Sequence, residues 1–280
     1  MAIKIVVDSA SDITKAQAQE MGITMIPMII SFGGEDFFDG EDITPKQFYE
    51  KLTSSKEFPK TTQITPYRFE EVFQDLTANG DQVITITISS KLSGTYESAV
   101  VAAQKFDGKV FVVDSLSAAA GERLLVLYAQ RLIEKGLSAQ EIVQNLNQEK
   151  HKICIMAMVN TLEYLKKGGR ISGAAAMIGT ALALKPTVAI VDGEVKNIGK
   201  SIGARRAQAF LLDTVKNKGG IRFDMPHCAI WSGTDDADIV NFIQFSPMLN
   251  KKGQMPIHIL GSTIGTHVGP GAMGLAFFCN

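Results

Sequence analysis

The sequence predicts an α/β protein: a first half built as a largely parallel sheet covered by helices, joined to a second half of looser α+β character. Regular alternation of β-branched strands with helices gives the first half its class. A repeated punctuation places the interesting end of that sheet, because an apolar strand runs into a polar cluster and then a helix at Ile3–Ser11 (IKIVVDSAS), Gln82–Tyr96 (QVITITISSKLSGTY) and Val110–Ala118 (VFVVDSLSA). Beyond about residue 155 the alternation loosens, which sets the predicted boundary between an N-terminal domain, 1–155, and a C-terminal one, 156–280. A turn of this kind directs backbone N–H groups and small hydroxyls at one point beyond the strand's carboxyl end, where a helix N-terminus favours an anion. The three strand ends face one crevice, the usual ligand site of an open α/β sheet, with Ser93 and Thr95 as its most pointed residues.

The elements follow in order. Strand 3–8 leads to a helix over Thr14–Met21, with Gly22 as the residue that ends it. The segment 23–40, extended on either side of a GGED turn, predicts a small β-hairpin that protrudes from the body, as part of an insertion over about 23–52. Thr44 before Pro45, with Gln47 three residues on, reads as a capping box for a helix to Leu52, and Thr65 before Pro66 opens another to Ala78. Strand 82–88, helix 94–106, strand 109–114 and helix 117–135 come next. Ser138 and Glu141 cap a helix ending near Lys150. Strand 151–159 opens the second half, followed by a short helix over Leu162–Lys167 and an Ala-rich one over Gly173–Leu184. A hairpin turns at Asp192-Gly193. Helix 203–217, strand 227–232, helix 235–245, strand 256–261 and a last strand at Gly274–Phe278 complete the chain.

Composition excludes several classes of function. The 280 residues carry 28 Lys and Arg against 29 Asp and Glu, a formal net charge of −1, with no long basic run to attract nucleic acid. The 3 cysteines are far apart and form no CxxC pair, so neither a disulfide framework nor a zinc site is indicated, and a reducing, cytoplasmic setting is expected. The N-terminus lacks a signal peptide's regions, and the longest apolar stretch, Ala174–Val191, is broken by Gly179, Lys185 and Pro186, so a soluble protein is expected. No GxxxxGK[ST] loop and no evident Mg²⁺ cluster is present, so the chain is expected to bind no ATP and to need no cofactor or metal.

Four polar segments stand out: KTTQITP (Lys60–Pro66), ISSKLSGTY (Ile88–Tyr96), LEYLKKGGRIS (Leu162–Ser172) and GSTIGTHVGPGAMG (Gly261–Gly274). With DSASD at Asp8–Asp12 and VDS at Val113–Ser115, their order along essentially the whole chain resembles the DegV family of bacterial fatty-acid-binding proteins. Some members of that family are the acyl-carrying subunit of a two-component fatty-acid kinase. The resemblance implies a two-domain architecture with a long acyl chain buried between the domains. It places the ligand carboxylate near the surface, on hydroxyls that here are Thr61 or Thr62 and Ser93, with Gly94 and Thr95 adjoining. Arg170 and His267 match the basic residues near the head group. By the same resemblance the chain is a non-catalytic subunit whose partners are a long-chain fatty acid, an ATP-binding kinase subunit and, in passing, a membrane; the product feeds phospholipid synthesis. Thr62 and Ile64 stand where the family usually has serine and proline.

Each residue also has a plain reading. Ser93 fits a helix N-cap, Thr65 a cap rather than a contact, and Thr61 and Thr62 turn positions. A lone arginine such as Arg170 commonly binds helix-terminal carbonyls, while His267, in a glycine-rich loop, is expected to be exposed. His151, His227 and His258 read as structural. The methionines and phenylalanines serve a core as readily as an acyl tunnel. Two rival functions use the same residues: a serine hydrolase with Ser93 as nucleophile, His267 as base and Asp8 or Asp114 as orienting acid, though without a GxSxG elbow; and a phosphotransferase-like module with a phosphohistidine at His267.

Overall fold

The computed structural model describes residues 2–171, 183–250 and 255–280. A four-stranded parallel sheet is formed by β1 (Ile3–Asp8), β2 (Thr24–Ile26), β6 (Gln82–Thr87) and β7 (Val110–Asp114), in the order β2-β1-β6-β7. Side chains on a strand alternate between faces, and the sheet uses both. Val6 and Val83 share an apolar cluster with α3 (Pro66–Thr77) and α4 (Thr95–Ala103). Ile5, Val7, Ile84 and Ile86 join another with α5 (Ala120–Glu134) and α6 (Ala139–Glu149).

A second, six-stranded mixed sheet has the order β10-β9-β8-β13-β11-β12, from β8 (Ile153–Met158), β9 (Leu184–Val191), β10 (Glu194–Ile202), β11 (His227–Trp231), β12 (Ile257–Ile259) and β13 (Met273–Phe278). One face meets α5, and the other buries Met156, Leu275 and Phe277 with Leu211 of α8 (Ala204–Asn217) and Phe242 of α9 (Ala237–Gln244). The helix α5 thus lies between the two sheets. Its run of buried residues from Ala120 to Val126 reflects that position, since a helix covered on both sides needs no polar face. We keep a domain division near residue 155 as a proposal, supported by the change of sheet between β7 and β8.

The caps predicted at Thr44, Thr65 and Ser138 are present, and the structure adds one at Thr14 that the sequence reading did not single out. Thr14, Thr44 and Ser138 each form a capping box, for α1 (Lys15–Glu20), α2 (Pro45–Ser54) and α6, and Thr65 caps α3. Asp192 and Gly193 take φ of 50° and 82°, the left-handed pair that a two-residue hairpin needs.

Other expectations are corrected. The first extended piece of the insertion, β2, pairs with β1 in the parallel sheet; the hairpin proper is β3 (Ile29–Phe32) with β4 (Glu35–Phe38). A short strand, β5 (Lys60–Thr62), pairs with β3, so Thr61 and Thr62 are strand rather than turn residues. The insertion does not protrude freely: β3 and α2 pack on a helix, α10 (Ser262–Val268), where the sequence suggested a loop. The helix after Ser93 is shorter than expected and begins after Gly94, with no side-chain cap. The predicted Ala-rich helix lies outside the described residues except for its end, where Leu184 already opens β9.

Candidate functional site

A cavity of about 370 Å³ opens between the carboxyl ends of the parallel strands and the second sheet, within the range of sites that enclose a small molecule. Its deeper wall is apolar: Ile88 after β6, Ile155 on β8, Val188 and Ile190 on β9, Val195 on β10 and Ile230 on β11 are among its lining residues. These side chains come from the second sheet and from the loop after β6, and no single segment supplies the wall.

At the other end the polar segments converge. Thr61, Thr62, Ser93, Gly94, Arg170 and His267 all line the cavity, and Thr95 lies fully buried behind Ser93. The strand geometry separates the two threonines, because neighbours on a strand point to opposite faces. Thr61 reaches α10, where its Oγ1 lies 2.9 Å from His267 Nε2, whereas Thr62 is exposed.

Ser93 is not the helix cap; its Oγ accepts from Thr95 N at 3.3 Å and lies 3.0 Å from Thr95 Oγ1. Thr95 Oγ1 in turn accepts from Ile64 N at 3.4 Å. Either hydroxyl can donate in this pair, and with Thr95 as the donor the Ser93 proton is left for a ligand.

The same logic applies to Thr61. His267 is half-buried on the last turn of α10, not exposed in a loop. Burial, and then the charge of Arg170, hold its pKa down at about 4, so the ring is neutral near pH 7 and acts as a hydrogen-bonding group rather than the head-group cation expected of it. Its Nδ1 has no hydrogen-bond partner among the described residues. A bare lone pair there costs less than an orphaned N–H, which assigns the proton to Nε2. Nε2–H donates to Thr61 Oγ1, and the Thr61 proton is free to point at a ligand.

Arg170 combines its two readings. Its Nε donates to Leu92 O at 3.1 Å and Nη1 to Gly168 O at 2.6 Å, so it binds a helix-terminal carbonyl at the end of α7 (Glu163–Lys167) while tying that turn to the Ser93 loop. Gly168 is required by close approach: a Cβ there would sit 2.2 Å from His267 Nδ1. A second cavity of about 260 Å³ shares Thr61, Arg170 and His267 with the first and adds Lys60 and Lys167. The polar group therefore stands between an apolar chamber and a cationic vestibule.

Some lining residues were not singled out from sequence, notably Met28, Gln63 and Thr263. Gln63 had a signal, since it sits inside KTTQITP; in the structure it packs on Gly94 and donates to Ser98 Oγ at 3.1 Å. The acids considered for a hydrolytic relay are engaged elsewhere. Asp8 accepts from Ala10 N at 2.9 Å and Ile88 N at 2.8 Å, and Asp114 from Leu116 N at 2.8 Å and Ser90 N at 3.3 Å. Neither orients His267. Among the described residues no helix is long and apolar enough to cross a membrane, and none of their His, Cys, Asp and Glu side chains form a group of three or more able to hold a metal ion.

Residues 2–280 match the family described as "Uncharacterised protein, DegV family". The chain is 37% identical over 279 residues to a DegV domain-containing protein of Caldanaerobacter subterraneus subsp. tengcongensis, with 98% of each chain covered. Among solved structures it is similar to a DegV family protein of Thermus thermophilus described as binding fatty acid, with a TM-score of 0.89, 32% identity and 100% of both chains covered. DegV of Bacillus subtilis, described as a fatty acid binding protein, gives a TM-score of 0.85 at 27% identity over 100% of both chains. A protein of Eubacterium ventriosum described as binding stearic acid gives 0.82 at 26% identity, over 100% of this chain and 98% of that one. This chain belongs to the DegV family.

Proposed function

We propose that the protein binds a long-chain fatty acid, with the tail in the apolar chamber and the carboxylate on the Thr61 and Ser93 hydroxyls, and presents that carboxylate to a separate ATP-dependent kinase. The observation that carries the reading is the convergence of the Thr61 and Ser93 hydroxyls with Arg170 at one end of a cavity whose remaining wall is largely apolar. A tail of about sixteen carbons, at roughly 0.8 kcal/mol per methylene, contributes on the order of 12 kcal/mol before the costs of ordering are subtracted. Each hydrogen bond to a charged carboxylate adds about 1.5–3 kcal/mol. The tail therefore supplies the affinity, and the polar end selects an acid and fixes its direction.

Hydroxyl donors and the Arg170 charge favour the ionised, nucleophilic carboxylate. In the kinase step one carboxylate oxygen attacks the terminal phosphorus of ATP, the bond to ADP breaks, and an acyl phosphate results for lipid synthesis. Lys60 and Lys167 on the vestibule side give the approaching phosphoryl group a cationic surface. In this reading the protein itself holds and orients, and among the described residues Ser93 meets no relay that would make it a hydrolytic nucleophile.

Native mass spectrometry of the purified protein, followed by denaturation and mass analysis of any released molecule, tests the binding step. A stoichiometric fatty acid is expected. An empty protein that also takes up no added fatty acid contradicts it. For the kinase step, Ser93→Ala should slow acyl phosphate formation more than it weakens lipid binding, and equal rates for variant and parent would refute the assignment.

A further inference from the structure

Four α-helices among the described residues take a side-chain cap from their own sequence, at Thr14, Thr44, Thr65 and Ser138. The helix that carries His267 does not. α10 starts on Gly261 with no side-chain cap, yet it must place Thr263, Ile264 and His267 on the cavity wall.

Its first amides are taken up from the other half of the chain. Asp12, in the loop after β1, accepts from Gly261 N at 2.7 Å. Asp39, after β4, accepts from Ser262 N at 3.3 Å through one carboxylate oxygen and from Thr263 N at 3.2 Å through the other. Tyr49 of α2 adds a bond from its hydroxyl to Leu260 O at 3.0 Å, and its ring lies so close to Gly265 that a Cβ there would sit 2.6 Å from the Tyr49 hydroxyl oxygen.

This arrangement is costly. Asp12 and Asp39 are only 8% and 3% exposed, and burial pushes both carboxyl pKa values up, with the charge of Asp39 raising that of Asp12 further. Asp12 also adopts a left-handed φ of 58°, which a residue with a side chain takes at some expense. A fold that needed only to close the insertion over α10 would do so with apolar side chains, as Phe48 and Tyr49 already do. What carboxyls add is a fixed set of acceptors for the amides at one end of the helix whose other end holds the Thr61 hydrogen bond.

We propose that Asp12 and Asp39 are positioning residues for the head-group site, capping α10 from across the molecule and so holding His267 against Thr61. The role rests on the reading that the site takes a fatty-acid carboxylate. Loosening the first turn of α10 displaces the imidazole, and the Thr61 proton loses its direction. The apolar chamber is left in place, so the effect falls on the acid group and not on the tail.

The test compares the affinities of hexadecanoic acid and hexadecanol for the full chain, unsubstituted and as Asp39→Asn, with Asp12→Gly, which removes the acceptor for Gly261 N and tolerates the left-handed φ, as a second variant should the first not fold. Asparagine keeps the shape but turns one acceptor into a donor facing a backbone N–H. The acid is expected to bind about tenfold more weakly to the variant, with the alcohol unchanged, and the His267 ring ¹⁵N resonances to shift. Ser138→Ala, which removes the cap of the distant α6, is expected to lower the melting temperature without changing the acid-to-alcohol ratio. Equal losses for acid and alcohol, or an unaltered His267 spectrum, overturn the positioning role while leaving lipid binding intact. An unsubstituted protein that binds neither compound overturns the lipid reading itself, and this role with it.

Discussion

The two ends of the cavity are built differently. The chamber wall takes apolar residues from several segments, Ile88 after β6, Ile155–Ala157 on β8, Val188–Ile190 on β9 and Ile230 on β11. The polar end takes residues of two short segments, Thr61–Gln63 at the end of β5 and Leu92–Gly94 after β6, and locks them with hydrogen bonds. The contrast follows from what each end must do. Apolar contact is non-directional and grows with area, so many arrangements of aliphatic side chains serve equally. A hydrogen bond fails within a few tenths of an ångström or some tens of degrees, and its donors need fixed neighbours. Affinity can therefore drift across the wall, while selectivity is concentrated in a few atoms.

The contrast can be broken from the chamber side first. Val188→Phe fills space that a tail would occupy. If four methylenes are expelled at roughly 0.8 kcal/mol each, affinity for a sixteen-carbon acid drops by about two orders of magnitude. An eight-carbon acid is expected to lose far less, and a titration across chain lengths checks the difference. Equal losses at both lengths would place the tail elsewhere.

At the polar end, Ser93→Ala removes one donor to a charged group and should weaken an acid by about tenfold or more while sparing the corresponding alcohol's tail contacts. Competition between the two ligands reads this directly. Thr61→Val and Thr62→Val sharpen the assignment within one strand: the first should cost about tenfold in acid affinity, the second less than about twofold, because only Thr61 faces His267.

The smallest effect concerns pH. His267, held at about 4, stays neutral over the range in which an ordinary histidine gains its proton. Acid affinity should therefore be flat between about pH 5.5 and 8. Stability behaves differently. The unfolded chain takes up a proton near the usual histidine value and the folded one only near 4, so this group's contribution is fully present above pH 6.5 and is lost as the pH falls toward 4. His267→Gln should flatten that part of the stability curve in denaturant titrations.

How much of this was legible in the sequence varied with the range of the interactions involved. Thr44 with Gln47, Ser138 with Glu141, and Asp192 with Gly193 fix their elements through neighbours within a few residues, and all three formed as read. α10 was missed because GSTIGTHVG contains glycines and no local cap; its cap comes from Asp12 and Asp39, more than two hundred residues away in the chain. β5 was missed because a three-residue strand of Lys and Thr has no apolar alternation, and only pairing with β3 defines it. Ser93 and Arg170 were found as motif residues, but which threonine meets His267, and that His267 is uncharged, depend on the packing of α10. The chamber wall was invisible, since Val188 or Ile230 looks like any core residue until the empty space beside it is seen.

The central claim is that a fatty-acid carboxylate sits ionised between Thr61 and Ser93 while its tail fills the chamber. The most direct measurement is the ¹³C NMR spectrum of [1-¹³C]hexadecanoic acid bound to the protein, recorded between pH 5 and 8. The account predicts one slowly exchanging carboxylate resonance that stays fixed across the range and moves on Ser93→Ala. A resonance that titrates within the range, or one indifferent to Ser93→Ala, would contradict it.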